Sequence, residues 1–295
     1  MKKALFFVLC LLGTAPGLLA QDDLLNMLGD DSTAATPTQA TFKSTRVING
    51  HSVETLPRNH FDFRISHRFG RLNSGPYELW GLDVATIRIG LEYGVTNRLM
   101  VGLGRSSNQK LYDGFAKFKL LRQSSGARAM PVTVTVLGTA AVNTLRFAPE
   151  EDITFRSRLT YCGQLLVARK FNERLSLQLM PTLLYRNRTN FAGESNLVAA
   201  VGAAGRFKIS KRVALNGEYY AVLPDQLNPA YHNALAVGFD VETGGHVFSL
   251  HFTNSLGMVE KQFLAETTGQ WGEGDIHYGF NISRTFNLGH KAKKK

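Results

Sequence analysis

The sequence predicts an all-β fold: an antiparallel up-and-down transmembrane β-barrel of about 12 strands, with both termini on the periplasmic side. Three observations carry that expectation. Between an N-terminal leader and a basic tail, the chain alternates apolar and polar residues in about a dozen stretches of 8 to 16 residues, each broken by turn-forming residues. No segment after the leader has the roughly 20 consecutive apolar residues that a membrane helix needs. The connections between stretches also alternate, short turns against long loops, which is the asymmetry of outer-membrane barrels.

Residues 1–20 have the form of a secretory signal peptide: Lys2 and Lys3 precede the apolar run from Ala4 to Leu12, and Ala20 offers a small residue for cleavage before Gln21. Cys10 lies inside that run, which argues against a lipid anchor. Its removal leaves Cys162 as the sole cysteine, so no intramolecular disulfide is expected. Residues 21–56 form a periplasmic leader, with a short helix expected over Asp22 to Leu28 and stopped by Gly29. Within it, residues 45–56 fit an extra strand, a periplasmic strap or a plug, and the pattern does not choose among them. Residues 57–288 form the barrel, and residues 289–295, with four lysines, a basic periplasmic tail.

The strands follow from a period of two. Phe61, Phe63, Ile65, His67 and Phe69 share one face, while Asp62, Arg64, Ser66 and Arg68 share the other, so the second face is wet. The same logic places strands at 61–69, 84–94, 99–107, 111–121, 131–142, 155–170, 175–187, 196–208, 213–222, 233–241, 247–254 and 276–286. Short turns fall at 95–98, 171–174, 209–212 and 243–246, with 123–130 somewhat longer. Long loops fall at 70–83, 143–154, 223–232 and 255–275. Arg98, Arg174 and Arg212 close similar turns at spacings of 76 and 38 residues, so one hairpin occupies about 38. The final strand is rich in aromatics, the kind of ending that barrel assembly machinery engages, although nine residues follow Phe286. A soluble β-sandwich would need fewer charges on the second face.

Composition agrees. A mean hydropathy of −0.11 with 19% charged residues resembles a soluble chain, yet a barrel produces the same average because every second residue faces inward. The formal charge is +11, and loss of Lys2 and Lys3 with the leader lowers it by two, to +9. Four of those charges sit in the tail. Nucleic acid is therefore not an expected partner; outer-membrane lipid and the assembly machinery are.

Four segments carry a family resemblance: 42–56 (Phe-Lys-Ser-Thr-Arg-Val-Ile-Asn-Gly-His-Ser-Val-Glu-Thr-Leu), 65–70 (Ile-Ser-His-Arg-Phe-Gly), 112–121 (Tyr-Asp-Gly-Phe-Ala-Lys-Phe-Lys-Leu-Leu) and 279–286 (Gly-Phe-Asn-Ile-Ser-Arg-Thr-Phe). The chain resembles, over most of residues 42–288, the Gram-negative outer-membrane β-barrel family called domain of unknown function 5777. The resemblance implies the barrel and the outer membrane; it brings no activity and no site residue.

With polar faces turned inward, the lumen would hold Arg64, Arg68, Arg88, Lys117, Lys119, Arg156, Arg158, Arg186, Arg188 and Arg206 against Asp62, Glu92, Asp113, Glu218 and Asp240. Arg64, Arg88, Lys117 and Glu218 fall near mid-height, and with Arg158 and Arg186 they are the candidate channel-lining residues. Cations in such a ring favour anions. Catalytic and metal residues are not expected. His51, Ser52 and Glu54 are the right residue types for a hydrolase, but neighbours on a strand point to opposite faces. His251 and His277 face inward on adjacent strands without a third ligand, Cys162 packs inward, and no cofactor is implied. Gly102 and Gly104 make room for bulky inward side chains.

Two functions remain open: a narrow, weakly anion-preferring channel for small solutes, or a non-conducting accessory or structural barrel of an envelope complex acting through its loops or periplasmic ends. The loop at 255–275, with Met258, Val259, Phe263 and Leu264, folds inward as a plug or outward as a binding surface. On the expected topology, cysteines placed at Ser125 and Lys211 in a Cys162→Ala background stay dark to an impermeant maleimide on whole cells, while cysteines at Asn190 and Thr268 label. The opposite pattern inverts the topology.

Overall fold

The alternation that marks the sequence closes into a barrel. The computed structural model describes residues 35–126, 129–148, 153–243 and 246–289, and contains twelve long antiparallel strands. They are β1 (His60–Arg71), β2 (Ala85–Gly94), β3 (Leu99–Ser106), β4 (Leu111–Leu121), β5 (Thr133–Asn143), β6 (Leu159–Lys170), β7 (Leu175–Arg186), β8 (Leu197–Lys208), β9 (Val213–Val222), β10 (Leu235–Thr243), β11 (His246–Thr253) and β12 (His277–Asn287). Each pairs with its neighbour in sequence, and β12 closes the ring on β1 through Ile282 opposite Ile65 and Phe286 opposite Phe61. Closure leaves no sheet edge, which a bilayer cannot satisfy. The even strand number puts His60, where β1 begins, and Asn287, where β12 ends, at the same end of the barrel, the turn end; the other is the loop end. The signal peptide, the helix expected at 22–28 and the tail from residue 290 lie outside the described residues.

Strand boundaries agree with the sequence pattern to within two residues everywhere but one. The exception is β6, expected from residue 155 but starting at Leu159, because Arg156–Arg158 turn as a 3-10 helix at the loop end. A two-residue ribbon, Thr36–Pro37 against Ser124–Ser125, straps the turn end.

The outward face is apolar. On β7, Leu177, Leu179, Leu183 and Tyr185 are exposed while Ser176, Gln178, Met180, Thr182, Leu184 and Arg186 are buried. The inward face departs from the polar lumen that alternation suggests. One side is charged, with Asp62, Arg64 and Arg68 on β1, Arg88 and Glu92 on β2, and Asp113 and Lys117 on β4. The other is apolar: Leu166, Met180, Leu184, Val198 and Tyr220 belong to a single hydrophobic cluster with Phe42, Val47, Ile48, Val53 and Leu56 of the N-terminal segment and Phe263, Leu264 and Ala265 of the last long loop. Residues 41–56 and 254–265 thus run through the inside of the barrel, and every residue of the helix α1 (Glu260–Ala265) is buried. Of the fits left open by the pattern, the structure takes the inserted one for both segments.

An inward position is accordingly a core position. Thr135 is fully buried and its hydroxyl donates to the Val53 carbonyl of the inserted segment, 3.0 Å away, so the inward position leaves no room for a larger side chain. Leu250→Arg, on the exposed face, is expected to cost about 2–4 kcal/mol of membrane stability. Thr135→Arg is expected to disrupt folding as well, by expelling residues 45–54. Heat-dependent mobility of unboiled protein on gels, followed by urea titration in vesicles, checks both; a silent Thr135→Arg would mean that the lumen is not packed.

Candidate functional site

The inserted segment is organised by a tight hairpin. Arg46 and His51 pair across it, Val47 N–H donates to the Gly50 carbonyl (2.9 Å), and Ser52 N–H donates to the Thr45 carbonyl (3.0 Å). At the tip, three successive backbone N–H groups point the same way. Those of Ile48, Asn49 and Gly50 donate to the carboxylate of Glu218 on β9 at 3.1, 2.7 and 3.1 Å. A nest of amides is an anion site, and here the barrel wall supplies the anion. Gly50 is required at this approach, since a β-carbon would collide with the Tyr220 hydroxyl.

The opposite charge serves the flanks. The Lys117 ammonium donates to the carbonyls of Thr45, Ser52 and Glu54 at 2.8, 3.1 and 3.1 Å, using all three of its hydrogens. Gln178 accepts from Val53 N–H (2.8 Å) and donates to the His51 carbonyl (2.7 Å). Arg64 donates to the hydroxyls of Ser44 and Thr45, both at 2.9 Å, and Thr45 donates onward to Glu92 at 2.6 Å. Arg68 reaches the Asn49 side chain at 2.7 Å. With Thr135 of β5 on the Val53 carbonyl and Asn281 of β12 on the Ile48 carbonyl (3.1 Å), side chains of β1, β2, β4, β5, β7 and β12 therefore hold the hairpin together with β9.

The remaining cations are paired with acids. Arg88 grips Asp113 with two contacts, one from Nε at 2.9 Å, and Gly104 gives its guanidinium the space that a β-carbon would occupy. Arg186 pairs with Glu194 (3.5 Å), Arg206 with Glu242 (2.9 Å), and Lys119 with Glu54 (3.4 Å). From the loop end, α1 descends onto the hairpin until Glu260 lies 3.5 Å from His51, and Phe263 packs on Tyr220 with ring centroids 5.1 Å apart. The base of that loop is clasped at Asp275, which accepts from Asn73 at 2.8 Å and Arg71 at 3.0 Å. Those hydrogen bonds, Asn73 first, hold the Asp275 carboxyl below the ordinary carboxylate range.

Arg64, Arg88, Lys117, Glu218 and Arg186 are thus all buried inside the barrel, and the hairpin brings the first, third and fourth around one segment. Arg158 is placed differently. It lies with Arg156 in the turn before β6, donates to the Leu145 carbonyl (2.7 Å) and stacks over Phe147, at the loop-end mouth rather than along the lumen; Arg188 flanks the same ring. His51 and Ser52 do not meet: the Ser52 hydroxyl donates to the Ser44 carbonyl, and the His51 ring faces Phe115. Among the described residues no cluster of metal-ligating side chains forms, and the His277 ring lies 2.9 Å from the Phe69 carbonyl. Sequence reasoning missed the apolar half of the lumen. Its signal was there, since Leu165 and Leu166, or Leu183 and Leu184, place apolar residues on both faces of one strand.

This is a membrane-type β-barrel with a filled lumen. The chain belongs to the membrane-bound beta barrel domain family, domain of unknown function 5777, whose model matches residues 42–286. Among solved structures it is similar to a KdgM porin (9% identity, TM-score 0.46, covering 77% of this chain and 99% of that one). It is also similar to the COG4313 outer membrane channel from Pseudomonas putida F1 (11%, 0.40, 79% and 98%) and to Omp33 of Acinetobacter baumannii (8%, 0.40, 77% and 98%). These likenesses concern barrel architecture. No curated protein matches the sequence.

The clamp on the hairpin has a measurable consequence. Lys117→Met removes the side-chain donor from the Ser52 and Glu54 carbonyls and leaves the Thr45 carbonyl with Ser52 N–H alone, and Glu218→Ala leaves three buried N–H groups unpaired, each unpaired group costing about 1–3 kcal/mol. Both variants are expected to keep the barrel and loosen residues 41–56, seen as faster hydrogen exchange or proteolysis confined to that segment. Unchanged protection there would show that the clamp does not hold it.

Proposed function

We propose that this protein is an outer-membrane barrel that is closed as folded: an accessory or structural barrel of the Gram-negative envelope, acting through its ends rather than as an open diffusion pore. The observation that supports this reading is the packing of residues 41–56 and 254–265 into one core with the wall, hydrophobic on one side and ion-paired on the other. The family match begins at Phe42, inside the inserted segment, so the segment and the barrel form one unit. Five apolar side chains of the segment join the core, at about 1.5–3 kcal/mol each.

One feature favours a second reading, a gated channel. The segment enters from the turn end and joins the wall covalently only through residues 57–59 before β1, so it can in principle withdraw without unfolding the sheet. Lys117, Arg64 and Arg68 would then be released from their partners and line a lumen that prefers small anions. The partners expected of either form are outer-membrane lipid and the barrel assembly machinery, after cleavage of the leader.

Conductance in planar bilayers separates the two. The wild-type protein is expected to show no steady channels, and Glu218→Ala together with Lys117→Met to show intermittent openings whose reversal potential in a salt gradient favours anions. Steady channels in the wild type would overturn the closed reading.

A further inference from the structure

We propose that the turn end of the barrel carries a collar that binds the phosphate head groups of anionic phospholipid. The charges at the two ends are unequal. At the turn end an exposed cation stands in successive connections: Arg98 before β3, Arg122 after β4, Arg174 before β7, and Lys211 with Arg212 before β9. Among the described residues the exposed acid at this end is Glu173, already paired with Lys170 at 3.1 Å. At the loop end, exposed Asp83, Asp225 and Glu273 are interspersed with Arg105, Lys110, Arg146, Arg156 and Arg188, and one guanidinium, that of Arg105, lies over an outward ring, Tyr112, at 5.4 Å.

The direction of two arginines identifies the occupant. Arg169 on β6 lies over the ring of Phe171 at 5.2 Å, and Arg284 on β12 lies over Phe286 at 4.9 Å. Both rings are exposed and outward at the end of the apolar band where Phe207 and Ile209 are exposed as well. A guanidinium fixed on an aromatic face at the edge of that band points sideways, to the level of a bilayer's head groups, where it can grip a phosphate with two parallel N–H donors. The cations are also spread around the circumference, from β2–β3 to β12. That spacing suits many singly charged lipids and does not suit one compact polyanion. An acidic protein approaching from below the barrel would meet Arg98 and Arg212 but would leave the two stacked arginines in lipid. This collar is independent of whether the lumen opens.

The test uses the full mature chain, delipidated in a non-ionic detergent and examined by native mass spectrometry with phosphatidylglycerol, with phosphatidylcholine of the same acyl chains, and with inorganic phosphate. Phosphatidylglycerol is expected to be retained in preference to phosphatidylcholine, to be released by raised salt, and to resist competition from equimolar phosphate. In the variant R169Q/R212Q/R284Q its retention is expected to fall about tenfold. The variant K110Q/R146Q/R156Q removes the same charge at the other end and is expected to retain lipid as the wild type does. Equal retention of the two lipids, equal loss in both variants, or displacement by equimolar phosphate would each overturn the proposal. So would salt-independent retention by the wild type, a result that does not depend on any variant folding.

Discussion

A ring of twelve strands encloses more space than its own side chains can fill, and the structure meets that constraint with chain borrowed from both ends of the barrel. The contact on which the solution depends is the one between Glu218 and the hairpin tip. A carboxylate inside a barrel must be compensated, and three peptide N–H groups within about one hydrogen-bond length do so. The same hairpin needs its carbonyls satisfied, and Lys117 does that. Wall and insert each supply what the other lacks, so neither is a finished structure alone.

Once the hairpin is in place, the apolar half of the lumen makes sense. Leu166, Met180, Leu184 and Tyr220 would line a water-filled pore unfavourably; against Val47, Ile48, Val53 and Phe263 they form an ordinary hydrophobic core. The charged half follows the rule for buried ions, with Arg88 on Asp113 and Arg64 beside Glu92. The excess of cations counted along the strands is therefore not an excess inside the barrel. Arg156, Arg158 and Arg188 lie at the loop-end mouth, Glu194 and Glu242 meet Arg186 and Arg206, and the inserted segments bring Glu54 and Glu260 together with Arg46 and Lys261, while several wall cations donate to backbone carbonyls and hydroxyls.

The exterior obeys a simpler economy. Apolar side chains meet lipid along the strands, and the charges gather where the strands end, most heavily at the turn end. Inside and outside are thus governed by different solvents, lipid hydrocarbon on one face and the protein itself on the other, although each strand has to serve both.

The barrel was legible in the sequence because its determinants are local. Alternation at a period of two marks each strand, and turn residues mark the ends, so pattern alone places twelve strands, and only β6 departs by more than two residues, where the arginines of the 3-10 turn fit the alternation without joining the ladder. The inward direction of Arg64, Arg88, Lys117, Glu218 and Cys162 was likewise a matter of parity. What alternation cannot encode is what lies across the lumen. Residues 45–56 carry no periodic signal, since an inserted hairpin is held by side chains from β1, β2, β4, β5, β7, β9 and β12 that are up to 233 positions away in sequence. Whether Glu218 faces water, a passing ion or three backbone amides depends on contacts that exist only once the ring has closed. Tertiary structure alone decided that the barrel is filled, because burial is a property of the assembled ring and not of any one strand.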